Sequence, residues 1–384
     1  MNPQRRHALR ALAGFAAGSP LLQMATAADD PVMGPVNVHE FEAVARRNLP
    51  KPAYDFIAGG VEDEQTLRAN RQAFGRYFLL PRVMVDTTNV DISANLLGQK
   101  IPSPIMIAPT GGKNLVLKDA DETVAKAALK SGTLICTATG VQKLLQNGEP
   151  LKWWSNTIGS PNKESARSYA RRIEDQGGVG IVLTVDNPYQ SNRDRNNRNR
   201  FDYGYMQTGV PEPGAPVPPP RTPALPAMWM PHTPNLTWDW IDWARGASKI
   251  PIVVKGILHP EDAQLAVQRG AHAISVSNHG GRQLDGAIGS LDALPDVVEA
   301  VGGKIPILLD GGIRRGVDVV KAIAMGASAV FIGRAPLWGL GAFGQRGCER
   351  VLEMLNMELK LAMALSGVRN LGELNRKMIK KVGG

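Results

Sequence analysis

Between residues 104 and 332 the chain alternates short apolar runs with longer amphipathic segments. The apolar runs occupy 104–108, 134–139, 151–156, 180–185, 250–255, 273–277, 305–309 and 329–332. Segments of helix length, such as 119–130, 163–176, 260–269 and 315–325, separate most of them. Unbroken runs rich in Ile and Val are what parallel strands covered on both faces require. Alternation with helices makes βαβ units. Eight strands in that rhythm predict an α/β fold of the closed (β/α)8 barrel type. An open doubly wound sheet is the competing architecture, but no G-x-G-x-x-G follows the first strand. Ahead of the barrel, 38–49, 53–57 and 62–76 read as an N-terminal helical extension, interrupted at Gly59-Gly60.

One connection is far too long for a simple loop. After the fourth strand, residues 187–235 carry Arg193, Arg195, Arg198 and Arg200 and then a proline-rich tract from Pro211 to Pro234. Loops of this length in compact domains are usually lids or mobile segments, and the prolines forbid a regular helix there. The arginines read either as an acid-compensated surface or as part of a site. Nucleic acid is a poor fit, because no aromatic residues interleave with them and no nucleic-acid motif accompanies them.

The first thirty residues break the pattern. Arg5-Arg6-His7-Ala8-Leu9-Arg10 is basic, 11–17 is small and apolar, and Ala25-Thr26-Ala27 has the small-x-small form of a cleavage site. This predicts an export signal over residues 1–28, with the paired arginines pointing to the twin-arginine route and an exported or periplasmic mature protein. An amphipathic helix fits less well, since there is no apolar stripe. A membrane anchor fits less well too, since Gly18-Ser19-Pro20 breaks a short core. Loss of the signal removes three arginines and lowers the formal charge from +9 to +6. That excess helps attract an anionic ligand but does not argue for nucleic acid. Residues 36–384 are then long enough for one large barrel. Two cysteines, Cys136 and Cys348, make neither a disulfide framework nor a metal cluster, and no metal is expected.

The candidate chemistry gathers at strand ends. In a barrel the C-terminal ends of all strands share one mouth, where such enzymes work. Strand one ends Ala108-Pro109-Thr110-Gly111, strand four ends Thr184-Val185-Asp186 and strand five ends Lys255-Gly256. Strand six runs into Ser277-Asn278-His279-Gly280-Gly281-Arg282, strand seven into Asp310-Gly311-Gly312-Ile313-Arg314, and strand eight into Gly333-Arg334. Alone, the His279 stretch is no more than a polar turn after a strand. Polar or charged residues ending that many strands are hard to explain by packing. Histidine is the usual proton carrier near neutral pH, and arginine the usual bidentate grip on a carboxylate. Glycines and arginines after strands seven and eight make an anion site at helix N-termini.

These motifs, together with Ile107-Ala108-Pro109-Thr110, Leu183-Thr184-Val185-Asp186, Leu49-Pro50-Lys51 and Leu365-Ser366-Gly367, resemble the FMN-dependent α-hydroxy acid oxidase/dehydrogenase family. The resemblance runs from about Val36 to the C-terminus. It implies a two-electron oxidation of a small-molecule 2-hydroxy acid on FMN, in a homo-oligomer that is commonly a tetramer. It implies His279 as catalytic base, Asp186 as the carboxylate that supports its charged form, and Lys255 as the cation beside the flavin. It further implies Arg282, assisted by Arg193, for the substrate carboxylate, and Thr184 as a flavin contact, with Pro109, Thr110, Gly111 and Ser277 lining the same cofactor. Asp310, Gly311, Gly312, Arg314, Gly333 and Arg334 resemble the ribityl and phosphate site. An aspartate beside His279 is expected to raise its pKa.

This chain also departs from the family pattern. Where two tyrosines usually face the substrate, the resemblance places Phe56 and Thr157, and where a glutamine contacts the flavin it places Ser155. A Ser-Ser-Trp-like segment after strand two reads Ala138-Thr139-Gly140, with Thr139 at a flavin-contacting position. Each lost hydrogen bond to a charged group is worth about 1.5–3 kcal/mol. The expected substrate is therefore bulkier than lactate or glycolate. The alternatives are a larger α-hydroxy or α-amino compound of a biosynthetic pathway, or a barrel that binds FMN without catalysis. The electron acceptor is left open among oxygen, a quinone and a cytochrome, since no C-x-x-C-H is present.

Overall fold

A computed structural model describes residues 30–137, 141–210 and 230–382. The expected export signal, Thr139 and most of the proline-rich tract (211–229) lie outside the described residues. Eight parallel strands close into a barrel: β1 (Ile105–Ile107), β2 (Ile135–Thr137), β3 (Trp153–Thr157), β4 (Ile181–Thr184), β5 (Ile252–Ile257), β6 (Ala273–Val276), β7 (Ile307–Leu309) and β8 (Ala329–Ile332). Strand β8 completes the ring on β1, with Val330 opposite Ile105 and Ile332 opposite Ile107. All eight strands coincide with the predicted apolar runs. Helices Ala120–Lys130, Lys163–Asp175, Pro260–Gln268 and Gly316–Ala324 follow β1, β3, β5 and β7. The barrel is the fold, and the open sheet is not.

Period-two alternation sorts the strand residues into two cores. Met106, Cys136, Trp154, Val182, Val253, Leu308 and Phe331 fill the barrel interior. Their strand neighbours, among them Ile107, Trp153, Ile181, Val254, Leu309 and Val330, face the helices. A small hairpin of Ala94–Leu96 and Gln99–Ile101 adds Leu96 and Ile101 to the interior cluster, where the strands begin. That end is packed with apolar atoms, so only the opposite end is left for polar chemistry.

The N-terminal helices α1 (Val38–Asn48), α2 (Lys51–Ala58) and α3 (Gln65–Arg76) reach that polar end. Val61 N–H donates to the Gly281 carbonyl at 3.0 Å and Glu62 N–H to the Asn192 carbonyl at 2.9 Å. Asn70 on α3 and Asn278 after β6 exchange reciprocal amide hydrogen bonds, both 2.8 Å and buried. A Cβ on Gly281 would come within 2.6 Å of Leu67 N and Cα, so α3 lies against backbone that carries no side chain. After β8 the chain continues as Arg334–Leu365, which breaks at Phe343-Gly344 and packs on α1.

Candidate active site

The turn after β6 is held in an uncommon conformation. His279, Gly280 and Gly281 have φ of 57°, 66° and 73°. For a non-glycine residue this region costs on the order of 1–3 kcal/mol and persists only where the surroundings impose it. Here His279 N–H donates to Ser277 Oγ at 3.1 Å, and Gly281 N–H to Asn278 Oδ1 at 3.1 Å. The result aims the imidazole across the mouth at Asp186, with Nδ1 2.8 Å from Oδ1. Asp186 enters from the end of β4. It is seated against Gly256, where an added Cβ would come within 2.7 Å of its Cβ and Cγ. Strand β5 carries a register shift at this same point, between Lys255 and Ile257. Bulges commonly re-aim side chains beside active sites.

Beneath the histidine lies a buried polar network. Lys255 faces inward one alternation above Val253. Its Nζ is 3.1 Å from Asp310 Oδ2 and donates to Ser277 Oγ at 2.9 Å. The Ser277 hydroxyl donates in turn to Asp310 Oδ1 at 2.7 Å. Burial works to lower the Lys255 pKa, but Asp310 and Asp186 outweigh it and leave it raised. Burial likewise works to raise the Asp186 carboxyl, and His279 and Lys255 hold it below the usual range. For His279 the balance goes the other way. Burial, with help from Lys255 and Arg193, lowers its pKa despite the upward pull of Asp186. The sequence expectation of a raised value is therefore corrected: Asp186 acts in the expected direction but does not win. The imidazole rests neutral at pH 7, with Nδ1–H donated to Asp186 and Nε2 free to accept a proton.

Four guanidinium groups share the cavity, and among the described residues none has a carboxylate within 4.0 Å. Arg282 Nη1 donates to the carbonyls of Phe56 at 2.5 Å and Gly59 at 3.1 Å, at the C-terminal end of α2, and its Nε and Nη2 have no acceptor among the described residues. Arg334 donates to the carbonyls of Ile57 at 2.7 Å and of Gly280 and Gly59 at 2.9 Å each. Cations at a helix C-terminus are stabilised by its exposed carbonyls. Arg193 donates to Ser191 Oγ at 2.9 Å, and Arg314 to the Ile313 carbonyl at 2.9 Å. Burial pushes Arg314 down to about 10 and Arg334 down to about 9. Burial and the neighbouring Arg193 and Arg334 push Arg282 well below its ordinary value. Charges this poorly compensated mark where anions bind. By contrast Arg195 pairs with Glu64 at 2.7 Å and Arg198 with Asp194 at 3.2 Å, so that part of the arginine cluster is acid-compensated surface.

These residues line one cavity of about 920 Å³, with Pro109, Thr110, Gly111, Thr184, Lys255, Asp310, Gly311, Gly312 and Gly333 in its wall and His279 opening onto it. Asp186 and Ser277 stand behind the wall. Phe56 is in the wall, its ring lying under Arg282 at 4.9 Å and Arg193 at 5.6 Å. Ser155 and Thr157 are not in it. Trp154 points into the barrel, so alternation sends Ser155 and Thr157 outward, where Ser155 Oγ meets Tyr169 OH at 2.7 Å and Thr157 Oγ1 accepts from Gly159 N at 3.0 Å. The wall positions are Asn156 and Ile158. A one-residue slip in a strand exchanges its faces, and the expected contacts at 155 and 157 are corrected accordingly. Asn156 Oδ1 accepts from Thr184 Oγ1 at 2.7 Å.

Several residues carry no motif and were not singled out in the sequence. Asn70 is hydrogen-bonded to Asn278 and Ser290 after β6 and lies against Gly311 and Gly312 after β7, and Lys113 is buried beside the cavity with Nζ donating to the Thr110 carbonyl at 2.6 Å and to Asp121 at 2.7 Å. Tyr203 reaches the cavity from the long connection. The parity of β3 around buried Trp154 was the available signal for Asn156; nothing local announced the others. Among the described residues no group of three or more His, Cys, Asp or Glu is arranged to hold a metal ion. No described helix is long and apolar enough to cross a membrane.

A barrel with a phosphate-type anion site at β7 and β8, a buried ammonium below and a histidine–aspartate pair beside two guanidiniums that lack a carboxylate partner among the described residues is the framework of a cofactor-dependent oxidoreductase. Residues 45–381 match the FMN-dependent dehydrogenase family. The chain is 39% identical over 362 residues to a peroxisomal (S)-2-hydroxy-acid oxidase of Oryza sativa subsp. japonica, covering 91% of this chain and 97% of that one. It is 38% identical over 371 residues to an L-lactate oxidase of Nostoc sp., covering 91% and 99%. A crystal structure of mandelate oxidase superposes with a TM-score of 0.79 at 35% identity, covering 91% of this chain and 99% of that one. The chain belongs to the FMN-dependent dehydrogenase family and is an FMN-dependent oxidoreductase acting on CH–OH. The cavity fits that cofactor. Arg314, Arg334 and the backbone of Gly311, Gly312 and Gly333 suit its phosphate, and Lys255, Thr184, Asn156 and Thr110 suit its ring system.

Proposed function

We propose that the protein oxidises 2-hydroxy acids bulkier than lactate or glycolate to the corresponding 2-oxo acids. FMN, when bound, supplies the acceptor for the two electrons leaving the substrate carbon. The protein's own residues do the rest. His279 accepts a proton at Nε2 while Asp186 fixes its tautomer and stabilises the imidazolium that forms. The free edge of Arg282, beside Arg193, grips the carboxylate. Lys255 supplies a fixed positive charge at the floor.

The observation that carries the size preference is the cavity lining, where Phe56 and Ile158 present no hydroxyl and Met206 adds apolar surface. Apolar walls favour an apolar substituent on the acid, at roughly 25 cal/mol per Å² buried. Mandelate oxidase, a structural relative, has been seen with (S)-4-hydroxymandelic acid, an aromatic 2-hydroxy acid. Anaerobic mixing of the FMN-loaded protein with mandelate, lactate and glycolate tests the reading. Mandelate should bleach the flavin band fastest. Equal or faster bleaching by lactate overturns the size preference, and no bleaching by any 2-hydroxy acid overturns the function.

A further inference from the structure

Phe56 leaves the α2 wall without a hydroxyl, yet a phenol stands next to it. Tyr203 lines the same cavity, its ring edge-on to Phe56 with centroids 6.4 Å apart. It comes from the connection after β4 rather than from the N-terminal helices. Phe201 locks it there, stacked on Phe56 at 4.8 Å and edge-on to Tyr203 at 5.5 Å.

The hydroxyl has a defined polarity. A phenol donates one hydrogen bond and accepts up to two. Gln190 Nε2 donates to the Tyr203 oxygen, and Asn196 Nδ2 does so at 3.4 Å. Both protein contacts use it as an acceptor, and among the described residues none takes its proton. Tyr203 is 38% exposed, which keeps it accessible from the cavity. Arg193 and Arg282 lie over the same Phe56 ring at 5.6 and 4.9 Å, which places the phenol in the corner of the cavity that holds these two guanidiniums.

We propose that Tyr203 donates its phenolic hydrogen to the substrate carboxylate between Arg193 and Arg282, in place of the hydroxyl that Phe56 lacks. The amides of Gln190 and Asn196 turn the proton inward, and Phe56 and Phe201 fix the ring. The proposal rests on reading the site as one for 2-hydroxy acids, and it makes Tyr203 a specificity-determining residue carried on the long connection.

The test is calorimetric binding of phenylglyoxylate and pyruvate, two 2-oxo acids, to the FMN-loaded protein, which needs no turnover. Tyr203→Phe should raise the dissociation constant of a bound 2-oxo acid about tenfold or more, with the flavin spectrum of the free protein and its melting temperature unchanged. Adding Phe56→Tyr to Tyr203→Phe should recover at least part of that loss, because it returns a phenol from the adjacent α2 wall. Binding by Tyr203→Phe within twofold of the parent overturns the proposal. So does weakened binding that Phe56→Tyr fails to rescue, since this is what a purely loop-ordering role for the hydroxyl gives. Failure of the parent to bind either acid also overturns it. A parent that binds them with Tyr203 dependence, but is bleached by no hydroxy acid, sinks the proposed function and leaves Tyr203 standing.

Discussion

The two sides of the cavity are built to different standards. The side from β5 to β8 is a continuous network in which Lys255, Ser277, Asp310 and the His279 backbone are joined by short hydrogen bonds, and Asn70 braces it from behind. The side from β2 to the long connection holds separate residues, Asn156, Ile158 and Tyr203, with no hydrogen bond joining one to another among the described residues. A buried, fully satisfied polar network specifies one geometry and tolerates little change. A wall of separate side chains can change one residue at a time. On the proposed function, the reaction is kept on one side and the choice of substrate on the other.

Breaking the first side should have the largest consequence. His279→Asn keeps size and polarity but removes the proton acceptor. The rate of flavin reduction should fall by roughly 10²–10⁴-fold, the usual worth of general base catalysis, while the protein still purifies with its yellow chromophore. A rate within tenfold of the parent in stopped-flow reduction would remove His279 from the base role.

A smaller effect sharpens the same side through pH. The His279 pKa lies below its ordinary 6.5. The neutral, proton-accepting form therefore survives below pH 6.5, and the acid limb of kcat/KM, which reports the free enzyme, should fall under that value. In stability the sign follows from linkage. With the folded pKa depressed, the unfolded chain binds the extra proton first. The favourable contribution is complete above pH 6.5 and is lost as pH falls toward the folded value. Asp186 pulls the His279 pKa upward, so Asp186→Asn should move the acid limb to still lower pH. An upward move in the pH–rate profile would contradict the assignment.

How far the sequence was legible follows the same division. All eight barrel strands could be read because they are short, mainly apolar runs, and the charged strand ends because glycines and arginines recur there. Between 135 and 160 no such marker fixes the register, and a slip of one residue put Ser155 and Thr157 where Asn156 and Ile158 stand. The parity of Trp154 decides it, but parity is visible only once the strand is known to enclose that side chain. The depressed pKa of His279 was misjudged because a sequence names its partner, Asp186, but not the depth of burial that outweighs it. Tyr203 was invisible because its position depends on a loop folding back to stack Phe201 on Phe56.

The smallest expected effect bears on the second side. Ile158 faces the cavity from beyond β3, whereas the Lys255–Asp310 network is carried by β5, β6 and β7, so its size should alter selection without altering chemistry. Ile158→Phe fills space that a bulky substituent would occupy. A difference of a few methylene-sized contacts discriminates by about 1–3 kcal/mol. The ratio of kcat/KM for mandelate over lactate should therefore drop about tenfold, with the larger acid losing most of it and the maximal rate of flavin reduction by lactate changing little. If Ile158→Phe slows both acids equally, position 158 influences the reaction itself, and the division of labour between the two sides does not hold.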